Sequence, residues 1–296
     1  MNTPQLQHVE DYWVGRFQAM AGPCEVLMDT QDPLLAQRLT EIAEQEASRI
    51  EHKLSRYRED NIIYKINNAN GAKVKVDAET AQMLDYADQC YRLSDGMFDV
   101  TSGVLRRAWK FDGSDNVPGK DRVKKLLPHI GWKKVRWQSP YLQMPKGMQI
   151  DLGGIGKEYS VDRTILLLRQ ATSVSCLVNY GGDIATTGPR QTGKGWIVGI
   201  ENPDPTLAHN KAYELKHGAI ATSGDARRYL LKNGVRYSHI LDPRSGWPVS
   251  DAPRSVTVIT DTCTEAGILA TLAMLHGAQA EEFLAQQGVQ YWCIRA

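Results

Sequence analysis

In the segment "IDLGGIGKEYSVDR", Asp151 precedes three glycines, Lys157 and the start of a helical pattern. A turn of that kind brings free backbone amides and the positive end of a helix together, which suits a phosphate group. The motif is neither GxGxxG nor a P-loop, and a tight corner between a strand and a helix explains it equally well. Lys157 favours the anion site. A second glycine corner, "NYGGDIATTG", follows the apolar run "CLV" and sets Asp183 at the end of a buried strand. A carboxylate there is costly unless it is paired, used, or caps its own turn. In "IATSGDARRY", Thr222 and Ser223 offer hydroxyls at a strand end, with Arg227 and Arg228 close behind. The pattern does not fit GxSxG, so a hydrolase nucleophile is not supported.

"YSHILDPRSGWPV" places His239 and Asp242 around two apolar residues. Residues three apart in an extended segment face opposite ways, so a direct pair between them is not expected. His239 is open to two readings, a structural hydrogen-bonding residue or a catalyst. "DTCTEAGILATLAML" sets Gly267 and Thr271 four apart on one helix face, near the helix start. A glycine inside a helix costs about 1 kcal/mol against alanine, so a close backbone approach or room for a ligand is expected at Gly267.

The elements that must position these groups follow from periodicity. Leu35, Leu39, Ile42, Ala43, Ala47, Ile50 and Leu54 form one stripe, predicting an amphipathic helix from Asp32 to about Tyr57. A second helix is expected from its N-cap Asp77 to Ser94, and the turn-rich "FDGSDNVPGK" reads as an exposed loop. From Gly147 onward, short β-like runs broken by glycine predict sheet. Two helices interrupt it, Gly156 to about Gln170 and Thr264 to about His276, the latter opened by a Thr262/Glu265 capping box. Helices early and sheet late predict an α+β fold, with mixed or antiparallel sheets and packed helices, in a single domain over 1–296.

The net charge of +1 supplies no field for a polyanion, which argues against nucleic acid as a partner. Cys24, Cys90, Cys176, Cys263 and Cys293 are odd in number and without a CxxC pair, and read as reduced core residues. No run approaches the roughly 20 apolar residues of a membrane span. As written, the chain is expected to be cytoplasmic; a chain trimmed of its export signal would look the same and be periplasmic.

Taken in order, the segments resemble the ApbE family of FAD:protein FMN transferases over nearly the whole chain. The family's Met-Gly-Thr is similar to "MAGPCEV", its Ser-Arg-aromatic motif to "LSRYRED", and its Asp-Gly-x-Phe-Asp-x-Thr to "DGMFDVT". "DLGGIGKEYSVD", "LVNYGGDIATTG", "AIATSGD", "SHILDPRSGWP" and "LATLAMLHG" follow in family order. The resemblance implies a fold related to tandem T-folds, with FAD in a cleft and Mg2+ on its pyrophosphate. A Thr or Ser hydroxyl of an acceptor flavoprotein would attack the phosphorus on the FMN side and release AMP. Met20, Tyr57, Met97, Phe98, Asp99, Asp151, Lys157, Gly181, Gly182, Asp183, Ser223 and Leu241 would line the FAD site. Gly154 through its carbonyl and Thr271 through its hydroxyl would sit at the metal, and His239 would help remove the acceptor proton.

Two positions depart from the family pattern. Gly267 stands where the family usually carries a metal-binding Asp, and Glu158 where a Gly usually follows the lysine. Glu158 thereby becomes a candidate metal ligand, with Asp261 and Glu265 as other local carboxylates; a solvated first-turn residue favoured by the helix dipole is the bland alternative. The altered site leaves two further readings of function, a non-catalytic FAD-binding or flavin-delivery protein and an FAD pyrophosphatase.

Overall fold

The computed structural model describes residues 4–201, 211–226 and 228–295; Arg227 lies outside them. The chain opens with strands β1 (Gln5–Val9), β2 (Tyr12–Ala19) and β3 (Gly22–Met28). Helices α1 (Pro33–Leu54) and α2 (Ile62–Asn67), strand β4 (Lys73–Lys75) and helix α3 (Ala78–Leu93) follow. A 3-10 segment Val100–Arg107, helix α4 (Lys120–Lys124), strands β5 (Arg136–Gln138) and β6 (Tyr141–Gln143), and helix α5 (Gly156–Ala171) come next. Then come β7 (Cys176–Tyr180), β8 (Asp183–Thr186), β9 (Trp196–Ile200), β10 (Lys211–Leu215), β11 (Ala219–Gly224), β12 (Tyr229–Lys232), β13 (Val235–Ser238) and β14 (Ser255–Thr260). The chain closes with α6 (Cys263–His276), α7 (Ala280–Gln287) and β15 (Gln290–Ile294).

Local chemistry accounts for the helix starts. Asp32 accepts from the amides of Leu34 and Leu35 while Pro33 holds the first helical position of α1. Asp77 caps α3 in the same way, through Glu79 and Thr80. Thr262 caps α6 through the amide of Glu265 at 3.3 Å.

Among the described residues, eight strands form one sheet in the order β1-β2-β3-β7-β8-β11-β14-β15. Each neighbouring pair is antiparallel. One face is covered by α1, α5, α6 and α7 through Leu39, Ala43, Val161, Leu168, Ala270 and Leu284, against Val26, Val178 and Val258. The opposite face is covered by the β9–β10 hairpin, which adds Trp196, Val198 and Leu215 to Leu177, Ile184 and Ile220. A second core joins α1, α2, α3 and the 148–155 segment to Ile268, Leu272 and Leu275 of α6. Helix α6 therefore serves both cores, and this explains why it is apolar nearly all round. Each such large side chain contributes about 1.5–3 kcal/mol when fully buried.

The α+β class and the helices α1, α3, α5 and α6 match the sequence expectations, with α1 ending at Leu54 instead of near Tyr57. Sheet is not confined to the second half: β1 to β3 lie at the start of the chain and join the same sheet. Their sequence carries Gly15, Arg16 and Gln18 amid the apolar residues, and Arg16 lies across from Glu25, so ion pairing supplies what a clean apolar alternation would have signalled. Helix α7 was not expected. The stretch ahead of the Gly153–Gly154 corner is not a strand; Asn67 clasps Ile150 from both sides, its Oδ1 accepting from the Ile150 amide and its Nδ2 donating to the Ile150 carbonyl, in place of a ladder. The loop 111–119 is pinned to β12 by the Gly113 amide donating to the Tyr229 carbonyl and the Leu231 amide to that of Ser114.

Candidate functional site

Two hairpin turns, one extended corner and the packed starts of two helices build the site. Gly181 and Gly182, with φ of 61° and 99°, make the two-residue turn between β7 and β8. The side chain of Asn179, not Asp183, caps that turn by accepting from the Gly182 amide. Asp183 opens β8 instead of closing a strand, and its carboxylate is free to face α5. There the Lys157 ammonium lies 2.7 Å from Asp183 Oδ2. That ion pair is the close contact of Oδ2. Glu158 Oε2 is buried without a hydrogen-bond partner.

Two carboxylates thus share one ammonium in a buried place, and the electrostatics follow. Burial, then the charge of Asp183, pushes Glu158 above the ordinary carboxylate range against the pull of Lys157. Burial raises Asp183 too, opposed by Lys157. For Lys157, burial pulls the ammonium down, but Asp183 and Glu158 outweigh it and the net shift is upward. A proton or a further cation is needed to balance the cluster.

Helix α6 packs beside it. The carboxylate of Asp162 on α5 accepts from the amides of Cys263 and Thr264 at 2.7 and 2.8 Å, fixing the start of α6 against α5. Thr271 Oγ1 reaches Ser223 Oγ on β11 at 3.5 Å. The glycine corner ahead of Lys157 and the helix bearing Thr271 therefore converge. Among the described residues neither the amide nor the carbonyl of Gly154 takes a hydrogen bond, and Phe98 lies about where its Cβ would touch, at 3.5 Å.

Ahead of the corner the charges are differently arranged. Arg56 Nη1 donates to Asp151 Oδ2 at 3.1 Å and to the Gly103 carbonyl at 2.9 Å. Arg106 Nε is 3.5 Å from the same carboxylate and its Nη1 donates to the hydroxyl of Tyr57, whose side chain is exposed. Asp99 is buried and already satisfied, accepting from Thr101 N, Thr101 Oγ1 and Trp132 N. Its role in the structure is to cap the 3-10 segment that carries Arg106. Met97 and Phe98 pack into the second core. Met20 and Ala21 form the β2–β3 turn with φ of 55° and 58°, a strained choice for side-chain-bearing residues, and Met20 touches both cores.

His239 and Leu241 lie on the remaining wall. Leu241 bridges to Pro248 and packs beside Trp109 and Leu230. His239 makes no bond with Asp242, which pairs with Arg244. Its Nδ1 is buried and unpartnered, and burial, then Arg228 and Arg106, lowers its pKa to about 4. The ring is therefore neutral near pH 7. Sequence reasoning gave no role to Arg106 and Asp162, whose partners are distant in sequence, and named Arg56 and Arg228 only as neighbours within motifs. No group of three His, Cys, Asp or Glu forms a metal cage among the described residues. The five cysteines are free, four of them buried and Cys293 half-buried.

A sequence model of the ApbE family matches residues 20–293. The FAD:protein FMN transferase of Klebsiella pneumoniae is 31% identical over 268 residues, covering 88% of this chain and 81% of that protein. The protein of the same name from Vibrio cholerae is 30% identical over 237 residues, covering 78% and 71%. Among solved structures, the ApbE protein of Thermotoga maritima is similar at a TM-score of 0.85 and 30% identity, covering 95% of this chain and 94% of that one. Flavin transferase ApbE from Vibrio cholerae is similar at a TM-score of 0.83 and 25% identity, covering 98% and 93%.

Proposed function

The chain belongs to the ApbE family, and from that premise we propose that it is an FAD:protein FMN transferase that moves FMN from FAD to a Thr or Ser hydroxyl of an acceptor protein. The observation that supports the reading is that α6, the helix bearing Thr271, is clamped to α5 at Asp162, one turn beyond the Lys157 that pairs with Asp183. In the transfer, the acceptor oxygen bonds to the phosphorus on the FMN side, the bridging P–O bond breaks, and AMP departs with the bridging oxygen. The corner and the start of α5 offer amides and helix dipole to the diphosphate, and Lys157 turns its ammonium from Asp183 toward it. His239, with Nδ1 open, takes the acceptor proton, as a base that its burial weakens. Tyr57, Met20 and Phe98 provide apolar surface for the flavin and adenine rings.

The residues fit a divalent cation such as Mg2+, because the buried Glu158 Oε2 lacks a hydrogen-bond partner and its side chain lies against Gly267, one turn before Thr271 on α6. Glu158, Thr271 and the Gly154 carbonyl would hold it together with substrate oxygens. When bound it neutralises charge on the diphosphate.

Incubation with FAD, Mg2+ and an acceptor bearing a flavinylation site is expected to give a yellow-fluorescent protein band in a denaturing gel, with one AMP released per label. Absence of label with every divalent metal tried rejects the activity. AMP formed equally well without acceptor points instead to hydrolysis of FAD.

A further inference from the structure

Gly267 lies in the second turn of α6 among apolar helix formers, and the packing explains why a glycine stands there. A Cβ on residue 267 would fall 2.5 Å from Glu158 Cγ, 3.0 Å from Oε1 and 3.1 Å from Cδ. The side chain of Glu158, leaving the first turn of α5, occupies the volume that any side chain at 267 would need. The arrangement is enforced from one turn away. Asp162 accepts from the amides of Cys263 and Thr264 and from the Thr264 hydroxyl. This clamp holds α5 against the start of α6, so that Glu158, one turn before Asp162, meets Gly267, one turn after Cys263.

What the glycine admits is a charge left unsatisfied. Glu158 Oε2 is buried without a hydrogen-bond partner, close to the charge of Asp183, which is only 2% exposed. Among the described residues the Lys157 ammonium pairs with Asp183 and not with Glu158. A helix that gives up a side chain to let in an unpaired carboxylate gains nothing for the fold by doing so. A cation ligand completes the arrangement.

We propose that Glu158 is the carboxylate by which this chain holds the divalent cation of its phosphate-transfer site, and that Gly267 is its obligatory steric partner, the two positions sharing one volume. The inference deepens the transferase reading and rests on it for the diphosphate that completes the ligand set. Because no three-residue cage exists among the described residues, cation binding depends on substrate oxygens as well.

The test is a titration of the whole protein with Mn2+ followed by electron paramagnetic resonance, with and without FAD. In the presence of FAD, Glu158→Gln is expected to weaken Mn2+ binding by at least about tenfold. Gly267→Ala touches no donor atom, yet should weaken it as well, because the new methyl group displaces the carboxylate. The double change Glu158→Gly with Gly267→Asp should recover binding, since the shared volume is then filled from α6. Mn2+ affinity at the wild-type level in Glu158→Gln or in Gly267→Ala overturns the proposal, as does a wild-type protein that binds no Mn2+. Glu158→Gln keeps the shape of the side chain, so it remains readable if Gly267→Ala fails to fold. Quenching of flavin fluorescence in EDTA reports FAD binding separately. No quenching by wild type refutes the transferase reading, whereas normal quenching with undiminished Mn2+ affinity in Glu158→Gln refutes only the role of Glu158.

Discussion

Arg56, Arg106 and Asp151 come together ahead of the Gly153–Gly154 corner, and Lys157, Glu158 and Asp183 after it, and the two groups are built on different principles. In the first, two guanidiniums face one carboxylate, both also reach neutral oxygens, and the Arg106 side chain is 42% exposed. In the second, one ammonium pairs with Asp183 while the neighbouring Glu158 keeps an oxygen buried without a hydrogen-bond partner. A cluster whose members all have partners costs the fold little to keep. A buried, under-neutralised one is expensive, and its persistence marks the place where a ligand is needed. The contrast separates a cluster whose charges are satisfied from one that leaves a buried oxygen unsatisfied.

The sharpest test of that contrast is Lys157→Met, which keeps the chain's bulk but strips the second cluster of its ammonium. FAD affinity, read by fluorescence quenching, should fall at least about a hundredfold, near 3 kcal/mol. An affinity within a few-fold of wild type would erase the distinction. Next comes His239→Gln, which should slow FMN transfer by about 10²–10⁴-fold with little change in FAD binding, as measured by stopped-time labelling of an acceptor. Its pH behaviour has a definite sign. The folded pKa of about 4 lies below the ordinary value of 6.5, so the unfolded chain takes up the proton first as pH falls. The stability tied to the neutral ring is whole above about 6.5 and is lost progressively toward about 4, and chemical melts of His239→Gln should lack that part of the decline.

Thr271→Val removes a hydroxyl whose hydrogen bond among the described residues is a long one to Ser223. Transfer should drop roughly tenfold while the thermal midpoint stays put, since little structure depends on that oxygen. The smallest effect is expected for Arg106→Ala, below about 1 kcal/mol in a denaturant melt, because Arg56 continues to pair with Asp151. A stability loss as large as the Lys157 effect would show that the first cluster is not the relaxed one.

How much of this was visible in the primary structure depends on whether the signal was local. The caps Asp32, Asp77 and Thr262 and the stripe from Leu35 to Leu54 act within a few residues, and the helices they predict are present. The strandlike reading of residues before Asp151 failed because Asn67, more than eighty residues away, supplies the hydrogen bonds a neighbouring strand would have given. Likewise Asp183 does not cap its turn because Asn179 does so first. The expensive glycine at 267 was legible as an anomaly, but its cause, a side chain on another helix, required coordinates. Arg106 beside Tyr57 and Asp151 was not legible at all, since nothing in its own neighbourhood distinguishes it from a solvated arginine.

The order of strands across the large sheet, β1-β2-β3-β7-β8-β11-β14-β15, rises without a single reversal. Each strand therefore docks on the open margin left by its predecessor, and none has to be threaded between two already in place. The first three can zip together while most of the polypeptide is still untranslated, and their free margin then waits for β7, with the entire helical excursion from residue 29 to residue 175 made in between. Lys157 and Asp183 fall on either side of that long-delayed closure, so their ion pair takes form only when the margin is extended.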